Sequence, residues 1–135
     1  MTFEGEHNRT VSERRIKRSP LYDVAYMLQS IHYASVIGFQ TEVESGLIRP
    51  EQIDGIQQWA AFWKQWVSAA FLHDYLKTAR SADFLPQSEE ELQVLLNNYL
   101  LSTAIHDLGY KLAARSPDTK VPMQRLLNAV NEPIV

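Results

Sequence analysis

Cysteine is absent from the 135 residues, which excludes disulfides, thiolate metal ligands and thiol catalysis together. Five glycines and six prolines are too few for a collagen-like repeat or a linker-dominated chain. No run approaches the roughly 18 uninterrupted apolar residues that a membrane helix needs. Residues Met1 to His7 show neither a basic stretch leading into an apolar one nor a small-residue cleavage site, so the expectation is a cytoplasmic chain with no membrane segment. An excess of positive charge is missing too. The chain has 13 basic residues against 16 acidic ones, a net charge of −3, which speaks against a protein built mainly to grip nucleic-acid phosphates. What is present is 45% hydrophobic and 21% charged, the balance of one globular domain.

Residues 1–18 form a polar lead-in holding five of the 13 basic residues, with no apolar face at either the helical or the strand period. Ser19-Pro20 then supplies a cap followed by a proline in the first turn, where its missing N–H costs nothing. Leu21, Val24, Ala25, Leu28, Ile31, His32 and Ser35 recur at spacings of three and four, so a first helix is predicted as far as about Glu44, with Ser45-Gly46 as its stop. Arg49-Pro50 restarts the chain. A second helix is predicted from Glu51 to near Arg80, with Ile53, Ile56, Trp59, Phe62, Trp63, Trp66, Ala70, Leu72, Leu76 and Ala79 on a broad apolar face. Ser88-Glu89-Glu90-Glu91 reads as a capping box that opens a third helix through Leu92, Leu95, Leu96, Tyr99, Leu100, Thr103, Ile105 and Leu108 to about Arg115. Pro122 opens a short final helix that Pro133 closes. The expected fold is all-α: three long antiparallel helices plus a short C-terminal one, with residues 19–135 as a single helical subdomain.

Several longer words carry more than a period. Phe3-Glu4-Gly5-Glu6, Glu13-Arg14-Arg15, Lys17-Arg18-Ser19-Pro20-Leu21-Tyr22-Asp23-Val24-Ala25 and Met27-Leu28-Gln29-Ser30-Ile31-His32-Tyr33-Ala34 occur in order. They are followed by Trp66-Val67-Ser68-Ala69-Ala70-Phe71-Leu72, Phe84-Leu85-Pro86, Asp107-Leu108-Gly109-Tyr110-Lys111-Leu112 and the Val121-Pro122 step. Taken together these resemble the C-terminal lobe of the bacterial maltokinases, a unit often fused behind a trehalose synthase, and the likeness spans nearly the whole chain.

The resemblance implies a helical C-lobe fragment of an aminoglycoside-phosphotransferase-like kinase. Such an enzyme moves the ATP γ-phosphoryl group to the anomeric hydroxyl of maltose with the help of Mg2+. It implies further that residues 1–18 are the remnant of the kinase metal loop, and that Thr2 stands where the family carries its metal-binding aspartate. A neutral hydroxyl is a poor replacement for a carboxylate that both ligates and balances magnesium. Glu4 is left as the nearby metal candidate, with a solvated loop acid as its alternative reading. On this basis the chain alone is expected to be catalytically incomplete and to carry no cofactor of its own. A kinase N-terminal lobe, trehalose synthase or a second copy of the chain are the expected partners. By the same resemblance Asp23 anchors the catalytic loop through its backbone amides; in isolation it also suits a first helical turn. Asp107 and Tyr110 are the possible sugar contacts, although Ser102-Thr103 replaces the Glu-Lys pair found in the family.

Two other readings compete. A non-catalytic helical interaction module would keep the shape and lose the chemistry, with apolar helix surface left for a partner. An HD-type metal phosphohydrolase would use His73, the His106-Asp107 pair and Asp118 as ligands for hard divalent ions, His73-Asp74 being a second such pair. Trp59, Trp63 and Trp66 suit core or interface better than sugar stacking. Arg14, Arg15, Lys17 and Arg18 lack the interleaved aromatics of a nucleic-acid surface.

Overall fold

The computed structural model describes residues 11–12, 19–116 and 119–131, with the backbone alone for 128–131. Thr2, Glu4, Gly5, the basic cluster at 14–18, Asp118 and Pro133 lie outside the described residues. Among the described residues all regular structure is helical, in the order α1 (Leu21–Glu44), a short 3-10 turn (Pro50–Gln52), α2 (Ile53–Ala79), α3 (Glu89–Ala113) and α4 (Lys120–Asn131). None of the helices is long and apolar enough to cross a membrane.

The ends form where local chemistry sets them. Ser19 Oγ accepts from the Leu21 N–H at 3.3 Å, while the Ser19 carbonyl accepts from Tyr22 N–H at 2.9 Å, satisfying groups that the first turn would leave orphaned. Gly46, at φ +73°, ends α1 in the left-handed region that glycine enters without penalty. Pro50 starts a 3-10 turn, so α2 begins at Ile53, two residues later than the sequence pattern places it. Ser88 Oγ accepts from Glu91 N–H at 3.3 Å, the serine half of the predicted capping box. At the far end of α3, Ser116 N–H donates to Lys111 O at 2.9 Å and Arg115 N–H to Leu112 O at 3.1 Å. That pair is a Schellman closure, and it ends α3 at Ala113 rather than Arg115.

Side-chain neighbours fix the directions. Asp23 acts on Tyr75 and Lys64 on His32, so α2 runs antiparallel to α1. Tyr22 stacks edge-on against Tyr99, with ring centres 5.6 Å apart, and Tyr33 donates to Asp107; α3 therefore runs parallel to α1. The three long helices are successively antiparallel, as expected, and α1 is the shared middle element, packed on both α2 and α3, while α4 packs on α3.

The core sits at one end of this layer. Leu21, Val24 and Ala25 of α1 meet Leu96 and Leu100 of α3, flanked by Phe71, Leu72 and Tyr75 of α2 and by Leu85, Leu92 and Leu95. Burying a leucine of this kind contributes roughly 1.5–3 kcal/mol. All buried residues of α1 fall between Leu21 and Gln29, and α2 has none. Among the described residues, the C-terminal half of α1 and the N-terminal half of α2 thus form a two-helix arm without a third layer. Its aromatic stripe corrects the core reading: Trp59 is 68% and Trp66 64% exposed, and Phe62 and Trp63 are also exposed. Ile105 is a second correction, being exposed on the side of α3 away from Leu100 and Ala104.

Candidate functional site

Where the arm leaves the core, polar side chains from all four helices converge. His32 and Tyr33 come from α1, Lys64 from α2, Asp107 and Lys111 from α3, and Arg125 from α4. The Tyr33 hydroxyl donates to Asp107 Oδ2, and Lys111 Nζ lies over the Tyr33 ring, 4.5 Å from its centre, a cation–π placement. Burial, together with the Asp107 hydrogen bond, pushes the Tyr33 phenol up to about 12. Both effects favour the neutral, donating form.

His32 moves the other way. Burial lowers it to about 4, and the nearby charges of Lys64 and Arg125 add to that effect. The imidazole is therefore neutral at physiological pH. Arg125 is 9% exposed, and its Nη1 has no hydrogen-bond partner. Burial lowers its pKa, with Tyr33 and Asp107 working against that shift. A buried guanidinium with an unmatched N–H is costly, since its charge has left water and its hydrogen-bonding capacity is unused.

Two orphaned acceptors accompany it, Gln29 Oε1 on α1 and Asn97 Oδ1 on α3. Thr103, fully buried on α3, satisfies itself by donating to Leu100 O at 2.9 Å.

The structure treats the sequence-predicted site residues differently. Asp107 belongs to the cluster, as the acceptor for Tyr33. Tyr110, one turn further along α3, is 56% exposed. Asp23 is exposed in the first turn of α1, where its charge suits the helix dipole and adds to the upward shift that burial imposes on the Tyr75 phenol. Five members of the cluster, His32, Tyr33, Lys64, Lys111 and Arg125, were not singled out as site residues by sequence reasoning. A readable signal existed for Arg125: it stands four residues after the buried Val121 in a helix with no acid to pair it.

The HD-type metal arrangement does not form among the described residues. His73 Nδ1 and Asp74 Oδ1 are 3.0 Å apart, on an exposed stretch of α2. Measured along α1, Tyr75 lies level with Asp23 and Asp107 level with Tyr33, a separation of about 15 Å at helical rise. The two His-Asp pairs thus sit at opposite ends of the helix layer and share no ion, since ligand atoms must each lie about 2 Å from it. No group of three or more His, Asp or Glu side chains among the described residues is placed to hold a metal.

A separate open groove of about 890 Å³ runs between the end of α2 and the start of α3, lined by His73, Lys77, Arg80, Pro86, Glu89 and Leu92 among others. It lies at the core end, away from the Tyr33–Asp107 cluster, and its mixed charges select no ligand class.

The chain matches no family model, and no solved structure matches it.

Proposed function

We propose that this chain is the helical C-terminal lobe of a maltokinase-like phosphotransferase, contributing the acceptor side of a site whose ATP and Mg2+ are held by other residues. The observation that carries this reading is where the resembling words lie. Leu21, Val24 and Ala25 supply the buried face of α1, Val121 and Pro122 are buried in α4, and Tyr33, Asp107 and Lys111 form one polar cluster. A word shared for its fold would sit in the core, and one shared for chemistry would sit in a polar cluster; both kinds occur. In this reading Asp107 and Tyr110 face the sugar hydroxyls, and Thr2 in the place of the metal aspartate leaves the chain alone unable to transfer phosphate.

The reading is tested by assaying maltose 1-phosphate formation from ATP, magnesium and maltose, with the chain alone and with the chain fused to the N-terminal lobe of a maltokinase. The expected outcome is no turnover alone and turnover in the fusion, with Asp107→Asn raising KM for maltose by about tenfold. Turnover by the chain alone overturns the incompleteness. A fusion that binds ATP yet phosphorylates no maltose overturns the lobe assignment.

A second reading, a helical interaction module, is favoured by one specific observation, the exposed rings of Trp59, Phe62, Trp63 and Trp66 on the two-helix arm. Aromatic surface of that kind is the material of interfaces. Light scattering decides here: a strictly monomeric chain at high concentration removes the support for self-association.

A further inference from the structure

We propose that the aromatic face of α2 is the contact surface for a second copy of this chain, packed on it antiparallel about a two-fold axis. The half-buried Ile53, Ile56, Ala60 and Val67 mark the side of α2 that meets α1. Trp59, Phe62, Trp63 and Trp66 stand on the adjacent side, turned away from α1 and between 46% and 68% exposed. From Gly55 to Ala70 the only charged side chain is Lys64, which acts on His32 of α1 and so lies off the ring face. A copy that covers the rings along this stretch therefore buries no charge.

The residues of this face read alike from either end. Gly55, Trp59, Phe62, Trp63, Trp66 and Ala70 are spaced four, three, one, three and four apart, with a small residue at each end and the rings between. Spacings of three and four recur on any helix face, but here residues of like size also stand at equal distances from the centre. A two-fold interface requires this, because residue i meets j and j meets i. In the antiparallel pair Phe62 faces Trp63 of the partner subunit and Trp59 faces Trp66 of the partner subunit. Gly55, with open space over it, faces Ala70 of the partner subunit and lets the two helices approach. The rings suit their own kind as well. Trp59 and Phe62 stand edge to face at 86°, and Phe62 and Trp66 are tilted at 55°, so the stripe offers both the negative faces and the positive edges that aromatic pairs bring together.

The area sets the strength of the contact. At about 150–250 Å² per side chain, the four rings leave roughly 350–550 Å² uncovered. A stable pair buries about 800 Å² on each partner, so the rings alone supply about half, and the exposed Ala69 and Ala70 beside them extend the patch. The result is a weak dimer in which two arms become four helices around an aromatic centre. In the dilute single chain the arm is open, and in the pair it is covered. The inference rests on the interaction-module reading of this face and not on the kinase-lobe reading.

All three tryptophans of the chain lie on this face, so their fluorescence reports on it directly. Sedimentation equilibrium and tryptophan emission of the full chain, followed across one dilution series, test the proposal. A dimer with a dissociation constant of about 10 μM is expected, with emission moving to the red as it dissociates. Trp63→Gln and Trp66→Gln are each expected to weaken it at least about tenfold; circular dichroism checks their fold. Ile105→Gln, at an exposed position of α3, should leave the dissociation constant within about twofold. Because the chain has no cysteine, oxidising a mixture of Gly55→Cys and Ala70→Cys chains reads the direction. The mixed disulfide should form and neither variant alone should cross-link, since like positions lie about 20 Å apart along the pair. A dimer without the mixed disulfide overturns the antiparallel pairing. A dimer whose emission does not change on dissociation, and which Trp63→Gln and Trp66→Gln leave intact, overturns this face and leaves the interaction-module reading standing on another. A chain that is monomeric throughout overturns the proposal and self-association together, and shielded tryptophan emission in that monomer would show that the chain covers its own rings.

Discussion

At the residue scale the most informative side chain is His32. A histidine on an apolar stripe reads as a core residue, and it is one, half-buried among the helices, but its neighbours Lys64 and Arg125 make it a sensor of the local charge. Its folded pKa of about 4 lies below the ordinary value of 6.5. The unfolded chain therefore takes up a proton below pH 6.5 that the folded chain refuses. Stability from this residue is fully present above pH 6.5 and is lost as the pH falls from there toward 4. Allowing for the solvent that reaches a half-buried ring, the loss is about 1–2 kcal/mol. Urea unfolding at pH 7 and pH 5 measures it, with His32→Gln as control; equal pH slopes in the two proteins would show that the imidazole has no part in it.

The helix ends show how far local sequence governs an element. Gly46 closes α1 at a positive φ, the stop that the sequence announces. The matching position after α3 is held by Arg115, at φ 51°, where a side chain with a Cβ carries a cost of roughly 1 kcal/mol. Arg115→Gly is expected to raise stability by about 0.5–1 kcal/mol, read as a higher urea midpoint at unchanged slope. An unchanged or lower midpoint would mean that the Arg115 side chain contributes something the closure geometry does not include. The aromatic stripe of α2 teaches the opposite lesson. A period of 3.6 marks which face of a helix is apolar, but it does not say whether any neighbour covers that face. Trp59, Trp63 and Trp66 read as core or interface, and together with Phe62 they are exposed among the described residues.

For the molecule as a whole, uneven burial is the controlling fact. The buried side chains concentrate at Leu21 to Gln29, Leu96 to Ala104 and Val121 to Arg125, while the arm built from the end of α1 and the start of α2 buries almost nothing. Regions with few buried apolar contacts open at lower free energy than the core. Native-state hydrogen exchange should therefore show the amides of residues 36–44 and 53–66 exchanging at least about tenfold faster than those of 22–29 and 96–104. Equal protection in both sets would show that the arm is covered in solution, by a second copy or another surface, and measuring the same exchange across a dilution series separates those two cases.

Much of this was legible in the sequence, and for a physical reason. Capping residues, prolines and the spacing of apolar side chains act within a few residues of one another, so the four helices and most of their limits follow from the chain alone. The core positions Leu21, Val24, Ala25, Leu96 and Leu100 follow as well, because a one-sided helix must bury its stripe somewhere. Asp107 was marked as a polar residue of interest, but its partner Tyr33 is 74 positions away, and the meeting of His32, Lys64, Lys111 and Arg125 depends on which helices pack and in which direction. That choice is made by long-range burial around α1. Only the tertiary structure decided that the charges of four helices share one place and that the aromatic face of α2 is left exposed among the described residues.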